Sequence, residues 1–130
     1  MGIRVLLDTH AFLWWVTDDE RLSAPARGAI AAGENQVFVS AASAWEIATK
    51  SRLGRLPIPQ PWDEFISTHL EKNAFQPLSI TVRHTFALTS LPELHRDPFD
   101  RILIAQALAE DMPLVSGDRQ VQSYPVPTIW

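Results

Sequence analysis

Apolar positions along the chain fall into two kinds of block: short continuous runs, and longer stretches with helical spacing. The short runs are typical of strands buried on both faces of a sheet. They predict strands at residues 3–7, 36–40, 75–80, 112–116 and 127–130. Pro77 weakens the third of these strands, and the last is expected to be a short edge strand.

The longer stretches predict helices, because their apolar residues recur every three or four positions. These helices are expected at residues 9–16, 23–33, 43–52, 62–73, 81–90 and 98–110. Strands that alternate with helices predict a three-layer α/β/α domain with a mainly parallel central sheet and right-handed crossovers. A chain of 130 residues suffices for one such core, so residues 1–130 are expected to form a single domain.

Composition narrows the class of protein. With 46% hydrophobic and 20% charged residues, the chain is expected to fold rather than to be disordered. It has no cysteine, which excludes disulfides and thiolate metal sites and fits a reducing cytoplasm. The longest apolar runs, such as AFLWWV at 11–16, are too short to span a bilayer, and no secretion signal is recognisable. A cytoplasmic protein without a membrane anchor is therefore expected.

Four acidic residues follow or precede predicted strands in a way that brings them to one edge of the sheet. Asp8 directly follows the first strand, and Glu46 lies in the early turns of the helix after the second. Asp100 lies in the first turn of the last long helix, and Asp118 comes two residues after the strand at 112–116. Since parallel strands end at the edge where crossover helices begin, we expect these four carboxylates to converge.

Each of these acids also has a purely structural explanation. Asp8 is positioned to cap the helix that starts at Thr9, and Asp118 to sit in a turn. Ser43 and Glu46 match a capping box, while Glu46 and Lys50 form a favourable pair one helical turn apart.

The stretch HRDPFDR at 95–101 raises the same question for two aspartates. Asp97 has the position of an N-cap, with Pro98 as the first helical residue. Asp100 is then the third helical residue, where a carboxylate complements the helix dipole. Both aspartates are therefore explained as residues that start a helix. This explanation leaves open whether either also has a functional role.

Charge repulsion argues that the four acids together need a counter-charge. Two carboxylates about 4 Å apart repel by roughly 4 kcal/mol at an effective dielectric constant of 20. Such a group requires a bound cation, raised pKa values or wide separation. Oxygen ligands without thiolates or paired histidines favour Mg²⁺ or Mn²⁺, which activate water for attack on a phosphodiester.

A nucleic-acid substrate is compatible with a net charge of −4. The charge is not that of a protein that coats nucleic acid. A bound metal ion and nearby basic residues would nevertheless supply a local positive field. Basic residues gather at 50–55, and Arg96, Arg101 and Arg119 flank three of the aspartates, although a solvated surface explains them equally well.

Four segments in order resemble the motifs of PIN-domain ribonucleases, specifically the VapC toxins of bacterial toxin–antitoxin pairs. These segments are LLDTHAFLWW (6–15), SAASAWEIATK (40–50), HRDPFDRILIAQA (95–107) and LVSGD (114–118). The resemblance implies a PIN-like α/β/α fold and a metal-dependent endoribonuclease that uses a metal-activated water. It also implies inhibition by a cognate antitoxin and a homodimeric toxin. Single-stranded or loop RNA is the expected substrate, since its bases are accessible.

The resemblance also assigns roles by position. Asp8, Glu46, Asp100 and Asp118 would be the catalytic residues and the ligands of Mg²⁺ or Mn²⁺. Thr9 and Ser116 would hydrogen-bond these acids or a bound water. Asp97 would mainly cap its helix, with support of the metal ligands as a secondary role. Arg101 and Arg119 would hold phosphate or pair with the carboxylates of the site. Arg119, Gln120 and Val121 stand where some relatives carry a further acid, which argues against a full second metal site.

Other α/β enzymes fit less well. A receiver-like phosphoacceptor domain needs a late lysine, but Lys72 is the last lysine of the chain. A phosphatase of the haloacid-dehalogenase type needs an aspartate two residues after Asp8, where His10 stands. The remaining alternative is a non-catalytic α/β binding module whose acids only cap helices.

Histidines and adjacent tryptophans complete the candidates. The four histidines show no ligand spacing and are expected on the surface or in the core: His10, His69, His84 and His95. Trp14 and Trp15 are neighbours on a helix and cannot both face the core. One of them is either partly buried or part of a dimer or antitoxin interface.

Overall fold

A sheet of five parallel strands lies at the centre of the chain, in a computed structural model that describes residues 2–94 and 97–130. The strands are β1 (Arg4–Leu7), β2 (Gln36–Ser40), β3 (Gln76–Leu78), β4 (Leu114–Val115) and β5 (Thr128–Ile129). Their order across the sheet is β3-β2-β1-β4-β5, so β1 is the central strand. Strands β2 and β4 therefore lie on opposite sides of β1, and in sheets of this kind the crevice lies where the central strand ends.

Helices cover both faces of this sheet. They are α1 (Thr9–Val16), α2 (Ala24–Ala31), α3 (Ala41–Arg52), α4 (Trp62–Lys72), α5 (Val82–Phe86), α6 (Pro98–Ala109) and α7 (Arg119–Gln122). A 3₁₀ turn at Ala87–Ser90 follows α5. Within the described residues, none of these helices has the length and apolar character needed to cross a membrane.

The side chains of β1 alternate between two hydrophobic clusters, as a strand buried on both faces requires. Val5 and Leu7 pack into a cluster that contains Phe12 of α1. Leu6 points to the opposite face and packs with Leu103 of α6. All five side chains are fully buried. This packing confirms the predicted three-layer arrangement, with every strand pair parallel.

The predicted capping box of Ser43 and Glu46 is wrong, because α3 begins two residues earlier than expected. The Ser40 hydroxyl, at the end of β2, accepts a hydrogen bond from the backbone N–H of Ala42 at 2.9 Å and caps the helix. Ser43 therefore lies inside the first turn, where it is buried.

Other predicted elements differ from the structure mainly at their ends. The helix expected at 81–90 is divided into α5 and the 3₁₀ turn. The strands expected at 75–80 and 112–116 are shorter, at three and two residues. The four-residue helix α7 was not predicted, since a segment of this length has no periodicity to detect.

A buried polar network joins the end of β2 to α5 and α6. Ser40 Oγ donates to Gln106 Oε1 at 2.5 Å, and Gln106 Nε2 lies 3.3 Å from His84 Nδ1. The backbone N–H of Thr81 also donates to His84 Nδ1, which leaves the proton on Nε2 facing Glu110 Oε2 at 2.8 Å. His84 is thus a core residue, one of the two positions expected for it.

Gln106→Leu is expected to lower the free energy of unfolding by about 2–4 kcal/mol, because it removes the hydrogen-bond partner of two buried side chains, Ser40 and His84. The Ser40 hydroxyl would lose its acceptor and the Ser79 carbonyl would lose its donor. Urea unfolding measures the change. The exposed Gln120→Leu is the matched control and should change stability by no more than about 0.5 kcal/mol. Equal stabilities of the two variants would contradict a structural role for the network.

Candidate active site at the carboxyl edge of the sheet

Asp8 lies where the central strand ends and is almost fully buried, with 7% of its surface exposed. It caps α1, because its Oδ1 accepts a hydrogen bond from the backbone N–H of Ala11 at 2.7 Å. Burial raises the pKa of Asp8 from 3.8 to about 6, and the charges of Glu46 and Asp118 add to this rise. Hydrogen bonds from Ser116 and Ala11 oppose the rise but do not cancel it.

Glu46 projects from the second turn of α3 into the protein and is 3% exposed. The Thr9 hydroxyl donates to Glu46 Oε1 at 2.6 Å and lies 3.0 Å from Ser43 Oγ. Lys50, one turn further along the helix, forms an ion pair with Glu46 Oε2. The predicted pair of Glu46 and Lys50 is therefore confirmed, and the carboxylate is held on both of its oxygens.

Asp97 and Asp100 lie at the start of α6, close to the same lysine. Asp97 Oδ1 accepts hydrogen bonds from the backbone N–H groups of Phe99 at 2.9 Å and Asp100 at 3.5 Å, which confirms its predicted role as a cap. The pKa of Lys50 is raised: burial alone lowers it, but Glu46, Asp97 and Asp100 together outweigh this effect. One ammonium group thus experiences the field of three acids.

Asp118 is exposed and starts the short helix α7, rather than only a turn. Its Oδ1 accepts from the backbone N–H of Gln120 at 2.8 Å, and its own N–H donates to Ser116 Oγ at 3.2 Å. Ser116 is fully buried and also hydrogen-bonds Asp8. Ser116 therefore connects the two aspartates that follow β1 and β4.

The two arginines expected near the site lie in different surroundings. Arg101 Nη1 donates to the Pro92 carbonyl at 3.0 Å and to the Tyr124 hydroxyl at 3.1 Å. Its only carboxylate partner within the described parts of the chain is Glu93, at 3.9 Å, which is not one of the four acids. Arg119 is exposed as the first residue of α7.

The remaining candidates are placed as follows. His10 is exposed and His69 is half-buried, as expected for histidines without a ligand role. Trp14 and Trp15 are both half-buried. His95 and Arg96 lie outside the described residues.

Electrostatic coupling links the four acids, although they do not form a closed cage. Asp8 interacts with Glu46 and Asp118, while Lys50 connects Glu46 with Asp100. Within residues 2–94 and 97–130, no three acidic or histidine side chains are grouped in a way that would hold an ion together. Two of the acids already have partners, because Asp8 caps α1 and Glu46 pairs with Lys50.

The chemistry of this edge nevertheless suits a hard divalent cation. All the candidate ligands supply carboxylate oxygens, which Mg²⁺ and Mn²⁺ prefer. The raised pKa of Asp8 reflects a buried carboxyl beside two other acids, and a nearby cation would stabilise its ionised form.

Sequence reasoning missed two features of this edge. The first is the position of Lys50 between Glu46 and the start of α6, which depends on how α3 packs against α6. The second is a cavity beside Asp8 and Asp118 that is lined in part by Trp130. The spacing of Glu46 and Lys50 signalled only their own pair, and no local pattern brings Trp130 to α1.

Comparison with known proteins gives a consistent result along the whole chain. The sequence profile described as "PIN domain" matches residues 5–126. Ribonuclease VapC22 of Mycobacterium tuberculosis is 30% identical over 132 positions, covering 97% of this chain and 98% of that protein. Ribonuclease VapC16 of the same organism is 43% identical over 51 positions, 39% of this chain and 36% of that protein.

A solved structure supports the fold independently of sequence. The crystal structure of VapBC2 from Rickettsia felis, bound to a DNA fragment from their promoter, contains a chain similar to this one. The TM-score is 0.69 at 13% sequence identity, with 96% of each chain covered. At this identity the likeness concerns the fold alone.

Proposed function

The chain belongs to the PIN-domain family, and from its full-length likeness to a VapC ribonuclease we propose that it is a metal-dependent endoribonuclease toxin. It hydrolyses phosphodiester bonds of RNA and is neutralised by a cognate antitoxin protein. The observation that carries the proposal is the burial of Asp8 beside Glu46 and Asp118 where the central strand ends. A carboxyl group held in this environment is suited to a cation rather than to structural capping alone.

Asp8, Glu46, Asp100 and Asp118 would hold the ion, which is Mg²⁺ or Mn²⁺. When bound, it supplies positive charge for the phosphoryl transition state and activates water for attack. Thr9 fixes the Glu46 carboxylate through its 2.6 Å hydrogen bond. Partners of this kind set the orientation of ligands.

Ser116 has the corresponding role for Asp8, because its buried hydroxyl bonds that carboxyl. Asp97 supports the site indirectly, because it caps α6, the helix that carries Asp100. Arg119 is exposed near Asp118 and is available to contact phosphate. Arg101 would reach substrate only after leaving Tyr124 and Pro92.

The substrate we propose is single-stranded or loop RNA, whose bases and backbone are accessible to a surface crevice. A toxin paired with an antitoxin and acting on RNA implies a cytoplasmic setting. We also propose a homodimer as the toxin's own assembly, in line with the resemblance of its motifs.

RNA cleavage by the purified chain tests the proposal. Cleavage of a labelled single-stranded RNA should require Mg²⁺ or Mn²⁺ and stop on addition of a chelator. Asp100→Asn should reduce the rate by at least about 100-fold, since even indirect partners of metal ligands contribute 10- to 100-fold. Cleavage that survives the chelator, or that persists in Asp100→Asn, would overturn the proposal.

A second candidate function is a non-catalytic binding module, and one observation favours it. Three of the acids, Asp8, Asp97 and Asp118, cap helices through hydrogen bonds to backbone N–H groups. A module of this kind would show no rise in melting temperature with Mn²⁺. The nuclease should show such a rise, and Asp118→Asn should reduce it.

A further inference from the structure

We propose that the cavity beside Asp8 and Asp118 binds a nucleobase of the RNA next to the bond that is cleaved. The inference rests on the proposed nuclease function and adds to it a site for substrate recognition. The cavity has a volume of about 450 Å³, within the range of small-ligand sites. It is lined by residues of three kinds, acidic, aromatic and basic: Asp8, Asp118, His10, Trp14, Trp130 and Arg21, with Gly117 between them.

Aromatic rings form the walls of this cavity. The ring centroids of Trp14 and Trp130 are 5.8 Å apart, with the ring planes inclined by 54°. The centroid of the His10 ring lies 5.5 Å from that of Trp14. Both indoles also pack against the hydrophobic cluster under α1, which holds them in place. Nucleobases stack on such rings whatever their sequence.

Gly117 brings the Trp130 ring to the edge of the site. A Cβ atom at Gly117 would lie only 2.3 Å from Cε2 of Trp130, so the indole lies directly on the glycine backbone. Gly117 is flanked in the chain by Ser116 and Asp118, the residues that approach Asp8. A base against this indole would therefore lie beside the carboxylates proposed to act in hydrolysis.

The charges around the cavity match a nucleotide better than an apolar segment of protein. The Arg21 guanidinium carbon lies 4.8 Å from the centroid of the Trp14 ring, and Asp19 fixes it with a 2.7 Å ion pair. It is positioned to contact a phosphate of the same nucleotide. An apolar side chain in the cavity would instead remove water from Asp8 and Asp118 without supplying a hydrogen-bond donor, which is unfavourable.

RNA binding by cavity variants tests the inference. Asp100→Asn serves as the uncleaving background, since Asp100 does not line the cavity. In this background, Trp14→Leu and Trp130→Leu should each weaken binding of a fluorescein-labelled single-stranded RNA by roughly 5- to 150-fold. Trp14→Phe should restore most of the affinity, because it keeps an aromatic face.

Trp62→Leu is the matched control. Trp62 is also half-buried against the same hydrophobic cluster, but it lines a different depression, with Arg52 and Gln60. Its RNA affinity should stay within about twofold of the background protein, since no base contact is removed. The melting temperature of each variant shows whether it folds. If Trp14→Leu does not fold, Trp130→Leu still tests the inference.

The outcomes separate this inference from the proposed function. If the wild type cleaves RNA and both cavity variants bind RNA as well as the background does, the base site is overturned. If Trp62→Leu weakens binding as much as Trp14→Leu, the effect is general and the inference also fails. If the wild type does not cleave RNA with either metal ion, the nuclease proposal itself fails.

Discussion

Asp8→Asn is expected to abolish RNA cleavage and at the same time to leave the metal-free protein as stable as the wild type, or more stable, above about pH 7. The asparagine keeps a side-chain oxygen that accepts the N–H of Ala11, so helix α1 remains capped. It removes a buried charge, and with it a ligand of the proposed ion. The loss in cleavage rate should exceed about 100-fold.

The direction of the pKa shift of Asp8 determines how the stability of the protein changes with pH. The pKa of Asp8 is raised from 3.8 in the unfolded chain to about 6 in the fold, which corresponds to about 3 kcal/mol. The folded state therefore holds the proton more tightly, and ionisation of Asp8 lowers stability as pH rises from 3.8 to about 6. Asp8→Asn lacks this loss. Urea unfolding with a chelator present, across this pH window, measures the difference between the two proteins.

A purely structural aspartate would behave differently. If Asp8 only caps α1, the variant should keep the cleavage activity of the wild type. A variant that is less stable than the wild type by the same amount at every pH would also contradict the raised pKa. Either result would remove the main support for an ion beside β1.

Glu46→Gln and Lys50→Met remove the same ion pair but should have opposite consequences for metal binding. Glu46→Gln is expected to lower RNA cleavage by more than about 100-fold, because it removes a proposed ligand. Lys50→Met should stay within about tenfold of the wild type, because it removes no ligand. In the absence of metal, however, it leaves the 3%-exposed Glu46 carboxylate without its cation.

Thermal unfolding with and without Mn²⁺ distinguishes the two variants further. The rise in melting temperature caused by Mn²⁺ should be larger in Lys50→Met than in the wild type, since the ion no longer competes with an ammonium group. It should be small or absent in Glu46→Gln. Equal losses of activity in both variants would mean that the pair is only structural.

The fold was largely predictable because β1, β2 and β4 are distinct apolar segments, although β3 is not. The bounds of α1 and β2 agree with those predicted, and the parallel order follows from the alternation of strands and helices. The start of α3 was not predictable, because Ser40 and Ser43 are equally good caps in sequence. In the structure Ser40 both ends β2 and caps α3, a double role that the predicted boundaries did not include.

The candidate site was predictable in its location but not in its contacts. The ends of strands and the starts of helices brought Asp8, Glu46 and Asp118 to one edge. The hydrogen bond from Thr9 to Glu46 joins residues 37 positions apart and depends on how α1 packs against α3. Arg101 illustrates the same limit, since its hydrogen bond to the Tyr124 hydroxyl joins residues 23 positions apart and has no local pattern in the sequence.

The two outer strands of the sheet restrict how a second protein can attach. One edge is β3, which has three residues and carries Pro77, and the other is β5, with two residues. Proline offers no N–H, and so short an edge gives an added strand few backbone groups to pair with. We therefore expect an antitoxin or a second copy to associate through helices, where exposed side chains such as Trp45 and Phe86 lie, and not by extending the sheet.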